Sequence, residues 1–199
     1  YRQEKFLEAF FAYDSVVKSH RNVDDDLAGD AAYYRYRAAT ALYAATRDPN
    51  DETLKKGARS KFAGEFPKHP RSIDLQYYEG ADYIADGDAL MSARNEKKAK
   101  EMFNLALDRL KGVKKSSILF AKAKARIGEI HYKLGDYAEA QQMFTWVEKF
   151  VADPENVTTD QERTANRLQA RALGTYYSSL CYSKQKHWDK LVARLADYE

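Results

Sequence analysis

The sequence predicts an all-α chain of helical hairpins stacked side by side. Three observations carry this. Apolar residues recur at three- and four-residue spacing through most of the 199 residues. No stretch alternates with period two or carries a β-branched run of strand length. The segment Gly128 to Phe144, GEIHYKLGDYAEAQQMF, holds small, aromatic and apolar residues at offsets that fold two helices against each other across a tight turn. A hairpin of that kind cannot bury its apolar face alone, so it implies neighbours on both sides.

Within that segment, Ile127, Ile130 and Leu134 form one helical stripe, and Gly128 lies between them where a side chain would hold the second helix away. Gly135 ends the first helix, because glycine enters the left-handed region without a Cβ clash. Asp136 is placed to cap the next helix through its carboxylate. Tyr137, Ala140, Phe144 and Val147 then make the apolar face of the second helix.

The spacing predicts helices over 2–20, 28–47, 51–65, 71–88, 95–112, 116–134, 137–152, 159–184 and 186–198. Turn residues separate them: Asp48-Pro49-Asn50, the run Phe66-Pro67-Lys68-His69-Pro70, and Asp153-Pro154-Glu155-Asn156. Ser72 and the Thr158-Thr159-Asp160 group stand as candidate N-caps.

Residues 121–154 resemble a tetratricopeptide repeat. The matching residues are Gly128 at the eighth position, the Gly135-Asp136-Tyr137 turn, Ala140, and Phe144. Lys124 and His131 depart from the pattern, standing where tryptophan and tyrosine are common. Weaker echoes lie at Gly80, Ala99 and Phe103 (with residues inserted around 86–95), at Ala58 and Phe62, and at Ser179, Tyr182, Trp188 and Leu191. The resemblance implies a right-handed α-solenoid of about four hairpins with one leading helix. The whole of 1–199 would form one domain, with the leading helix at 2–20 and repeats near 28–66, 71–112, 116–152 and 159–198. A second motif, FPKHPRSIDLQYYEG at 66–80, resembles linkers of BamD-like bacterial cell-envelope tetratricopeptide proteins. It implies a periplasmic or outer-membrane-associated setting.

Composition narrows the function classes. Mean hydropathy is -0.72, and no run approaches the ~20 apolar residues that span a bilayer. The chain opens on Tyr1 rather than methionine, as a trimmed or mature fragment would, and its ends say nothing of compartment. Cys181 is the single cysteine and reads as a core thiol. His20, His69, His131 and His187 are scattered without metal-ligand spacing, and Asp24-Asp25-Asp26 lacks the glycine and bidentate glutamate of a calcium loop. No phosphate-cradling glycine loop or nucleophile elbow is present. The reading is therefore non-catalytic, with no cofactor, no metal and no small-molecule substrate.

Two features point to partners. The first is fifteen tyrosines, with clusters at Tyr33, Tyr34 and Tyr36, at Tyr77 and Tyr78, and at Tyr176 and Tyr177. Neighbours on a helix point about 100° apart, so one of a pair packs inward while the other faces out. The second is charge. Between Arg94 and Arg126 there are eleven basic and three acidic residues, although the whole chain nets only +3. Lys97, Lys98, Lys100, Lys111, Lys114, Lys115, Lys122 and Arg126 form a candidate basic patch.

The resemblance further implies that first helices line a concave face. Tyr77, Ala81, Glu129, Tyr132, Lys133, Tyr176 and Leu180 would line it and hold a protein or peptide. In some members of that family a lysine and an asparagine clamp a C-terminal carboxylate. Ala125 and Glu129 stand at the matching places here, and Glu129 would repel such a group. The expected function is thus a scaffold for a protein or peptide partner. The alternatives are an adaptor that meets anionic lipid or nucleic acid through 94–126, or an accessory domain of an enzyme. Nucleic acid is the least favoured, since no reading motif accompanies the charge, and membrane contact would be peripheral.

Overall fold

The computed structural model describes residues 2–196, and every regular element among the described residues is helical. The chain divides into two units, Tyr1–Leu75 and Gln76–Glu199. The division falls where the sequence places the linker between the first two hairpins.

The first unit holds α1 (Arg2–His20), α2 (Asp25–Thr46), α3 (Pro49–Glu65) and a 3-10 helix, Pro70–Asp74. Helix α2 packs against both α1 and α3. Small residues allow this: Ala28, Ala31, Ala32 and Ala39 are buried on its surface, so neighbours approach from two sides. Tyr33 and Tyr36 are buried while Tyr34 faces outward, which separates the cluster as the helical angle requires. Arg35, also buried, is held by Asp14 of α1 at 2.6 Å. Both following helices are capped: the Leu27 amide donates to Asp24 (2.9 Å) and the Asn50 amide to Asp48 (2.7 Å). Ser72 does not cap. Its hydroxyl donates to the Phe66 carbonyl at 2.6 Å, and His69 Nδ1 accepts from the Arg71 amide instead. The next helix consequently starts at Leu75, four residues later than its spacing suggests.

The second unit contains α4 (Leu75–Ser92), α5 (Glu96–Lys111), α6 (Phe120–Leu134), α7 (Tyr137–Ala152), a 3-10 helix Pro154–Asn156, α8 (Gln161–Lys184) and α9 (Trp188–Ala196). Positions 197 and 198 of the expected last helix lie outside the described residues. Three hairpin turns share one backbone geometry. Arg94, Gly135 and Lys186 each take a positive φ, at 57°, 89° and 59°. The residue after each donates its amide five positions back at 2.9 Å: Asn95 to Leu90, Asp136 to His131, His187 to Tyr182. Only Gly135 adopts this region without a Cβ penalty. Asp136, expected as a cap, makes no side-chain cap bond; its carboxylate instead lies 3.5 Å from His131 Nδ1.

The close approach expected at Gly128 is present, and it recurs. A Cβ built at Gly128 would lie 2.5 Å from Phe144 Cε1, and one at Gly87 would lie 2.5 Å from Phe103 Cε1. Gly87 to Gly128, Ala99 to Ala140 and Phe103 to Phe144 are each steps of 41 positions. The α4–α5 hairpin therefore has no insertion around 86–95, and Gly87 rather than Gly80 is the partner of Gly128. Gly80 meets Leu110 instead. Ala99, Ala140 and Phe144 have no exposed surface, and Phe103 has 1%.

Replacing Gly128 or Gly87 by alanine forces a methyl into a filled ring contact and is expected to cost about 1–3 kcal/mol. Gly64→Ala, in α3 with open space around it, is expected to stabilise by about 0.5–1 kcal/mol. Urea midpoints of the three variants test the contrast.

Candidate functional site

Helices α4, α6 and α8 share one face of the second unit, and α6 runs along its middle. Its residues Lys122, Arg126, Glu129 and Lys133 step by four, three and four positions, so they lie in one stripe. Glu129 is 3% exposed. A lone buried carboxylate is costly, and this one is compensated from three directions. It pairs with Arg126 one turn back and with Lys133 one turn on, the latter at 2.7 Å. The Tyr177 hydroxyl of α8 donates at 3.0 Å to Oε1, the oxygen that Lys133 also meets, while Arg126 holds Oε2. Lys133 also reaches Asp88 of α4 at 2.7 Å. One buried carboxylate thus ties three helices together.

The electrostatics follow. Burial would raise the Glu129 carboxyl, but Arg126 and Lys133 outweigh it and hold the group below the usual carboxylate range. Burial, then the adjacent Glu129 carboxylate, pushes the Tyr177 phenol far up. Tyr77 is raised by burial against the pull of Arg126. Cys181, fully buried, is pushed up by burial to about 11, which keeps it a thiol at neutral pH.

Beside the stripe lies an open groove of about 410 Å3. Buried Tyr77 forms one wall, and Leu173 with Tyr176 the other. Lys122 and Arg126 stand between them, with Lys122 Nζ 5.4 Å from the Tyr77 ring centroid. Lys122 also donates to Gln169 Oε1 of α8 at 2.9 Å. Tyr176 is 60% exposed, while Tyr177 turns inward against Phe144 and Tyr132.

Of the residues expected on this face, Tyr77 and Tyr176 line the groove. Glu129 and Lys133 belong to the ion network, and Tyr132 packs against Tyr137 and Tyr177. Ala81 and Leu180 are half-buried. The basic segment does not form one patch. Lys122 and Arg126 join the groove. Lys97, Lys98 and Lys100 are exposed at the start of α5, whereas Lys111, Lys114 and Lys115 are exposed at and beyond its end. Lys98 and Lys111 lie roughly 20 Å apart along the helix. Sequence reasoning missed Gln169 and Leu173, and it assigned Lys122 and Arg126 to the patch. Their four-three-four spacing with Glu129 and Lys133 was the available signal. No protein family, curated protein or solved structure matches this chain.

Glu129→Gln is expected to destabilise the second unit by about 2–3 kcal/mol, toward the low end for breaking a buried pair because Lys133 keeps Asp88. The Glu129 carboxyl is depressed on folding, so its contribution is complete above the unfolded value of about 4.3 and is lost as pH falls below it. Urea titrations at pH 7 and pH 3.5 should show the wild type converging on the variant in acid. A constant gap would contradict this.

Proposed function

We propose that the chain is a non-catalytic protein-interaction module. In this reading its hairpins belong to a right-handed tetratricopeptide-like solenoid, and an extended segment of a partner lies along the face shared by α4, α6 and α8. The observation that carries the reading is the groove itself. It combines an exposed Tyr176, a buried Tyr77 and the cationic Lys122 and Arg126, all on helices fixed by the Glu129 network. Side chains held on packed helices lose little freedom on binding, so the contact energy is not spent on ordering. Tyrosine offers large area with few rotatable bonds, and the two cations favour an acidic residue beside an apolar or aromatic one. The tetratricopeptide resemblance at 121–154 and the linker resemblance at 66–80 are what favour, in this reading, a bacterial cell-envelope assembly as its setting.

A random peptide library selected against the intact protein tests the reading. Selected peptides are expected to pair acidic with aromatic or apolar residues. Tyr176→Ala should weaken them by about tenfold or more, the loss of one central aromatic contact, at an unchanged melting temperature. Lys122→Glu should reverse the charge preference. Selection of no sequence pattern, or binding indifferent to both changes, would remove the groove from consideration.

A further inference from the structure

A second cavity, distinct from the groove, lies where the loop before α6 meets the 3-10 helix Pro154–Asn156 and the start of α8. Its volume is about 290 Å3, at the lower edge of small-molecule sites, which run to about 300–1,000 Å3. Three cations line it: Lys115, Arg163 and Arg167. Glu155 is the one acid in the lining.

Arg167 is the anomaly. It is 9% exposed, yet among the described residues it has no carboxylate partner. Its two terminal nitrogens donate to backbone carbonyls, of Asn156 and of Val151, the latter at 2.6 Å. Its buried Nε has no hydrogen-bond partner. Buried charges are ordinarily paired, because removing an ion from water costs several kcal/mol that carbonyl dipoles only partly return. Glu129, in the same unit, meets that rule with two cations and a hydroxyl. Arg167 does not meet it with any protein anion.

We propose that this cavity binds a phosphomonoester. Two net positive charges in the lining match a dianion, and guanidinium groups fit tetrahedral oxyanions through paired N–H donors. Arg163 is partly committed, donating to the Ser116 carbonyl at 3.1 Å. Lys115 is exposed at the mouth. Thr158 Oγ1 accepts from the Asp160 amide, so its O–H can point to an oxyanion. The lining also holds apolar Ile118, Phe120 and Phe150. An ester with an organic body therefore fits the cavity better than a bare ion. This site stands independently of the peptide groove.

Calorimetric titration of the intact protein with phenyl phosphate, inorganic phosphate and benzoate tests the assignment. Phenyl phosphate is expected to bind one site, saturably, at or below about 1 mM. Inorganic phosphate should bind more weakly and displace it, and benzoate should bind more weakly still. Arg163→Gln and Lys115→Gln should each weaken phenyl phosphate by about tenfold, the loss of one charge-assisted bond. Lys97→Gln with Lys98→Gln, in the basic segment but away from the cavity, should leave it unchanged. If Arg163→Gln lowers the melting temperature, Lys115→Gln decides, since that side chain is exposed. Phosphatidylcholine vesicles doped with phosphatidic acid separate the two sources of the group. Retention of the wild type but not of Lys115→Gln assigns a lipid headgroup; phenyl phosphate binding without vesicle retention assigns a soluble ester. Absence of saturable binding overturns the proposal. So does equal loss in the Lys97 and Lys98 control, or benzoate binding as tightly as the phosphate ester.

Discussion

The second unit depends on a phenylalanine ring seated directly on a glycine. Phe144 covers Gly128 and Phe103 covers Gly87, and in neither place is there room for one more carbon. The contact brings two helix backbones together at a single height, so it sets how each hairpin closes. It also sets which residues face outward. With the second helix pressed against Gly128, the opposite stripe of α6 is left for Lys122, Arg126, Glu129 and Lys133. The neighbours α4 and α8 then meet that stripe from either side, as the Asp88–Lys133 and Tyr177–Glu129 contacts record.

Glu129 turns that geometry into a fixed surface. Its burial is tolerable only because two cations and a phenol converge on it, and those groups come from α6 and α8, with α4 joined through Lys133. Removing any one of them leaves a charge in a place where water cannot reach easily. The consequence is mutual: the carboxylate needs the helices in register, and the register holds the carboxylate. Arg126 is shared between this network and the groove, so the cation that lines the groove is held in place by the Glu129 carboxylate.

Much of this was legible in the sequence, and the reasons for success and failure are local. The span 137–152 was read to the residue because Asp136, the apolar spacing and Pro154 bound it on both sides. Gly128 was read correctly because a glycine between Ile127 and Ile130 has no other use in a buried stripe. Gly87 was missed, because Asp86 and Asp88 flank it and disguise a core-facing position as a loop. The spacing places breaks at 89–94 and at 185, but the positive φ of Arg94 and Lys186, which costs about 1–2 kcal/mol, was hidden, because a charged residue there carries no conformational signature. Asp136 looked like a cap and is not one, since its carboxylate lies toward His131 of the preceding helix rather than over the first amides of α7. The groove was half legible. Tyr77 and Tyr176 were placed by helical grid, but Gln169 and Leu173 sit on a long α8 whose register against α6 is set by packing, which no spacing reveals.

The contrast between Glu129 and Arg167 separates architecture from reception. Both are charged, both lie in the second unit, and both are nearly free of solvent contact. Around Glu129 the protein supplies its own counter-charges, so the site is complete without a visitor and its effect is rigidity. Around Arg167 the protein supplies two carbonyls and then two more cations, Arg163 and Lys115, which raise the local potential instead of quenching it. A purely structural role for Arg167 explains the carbonyl bonds that brace the 3-10 helix. It does not explain why like charges gather beside it around a cavity rather than being pushed apart. An anion in that cavity would resolve both facts at once, and it would brace the loop before α6 against the start of α8 at the end of the stripe remote from Lys133.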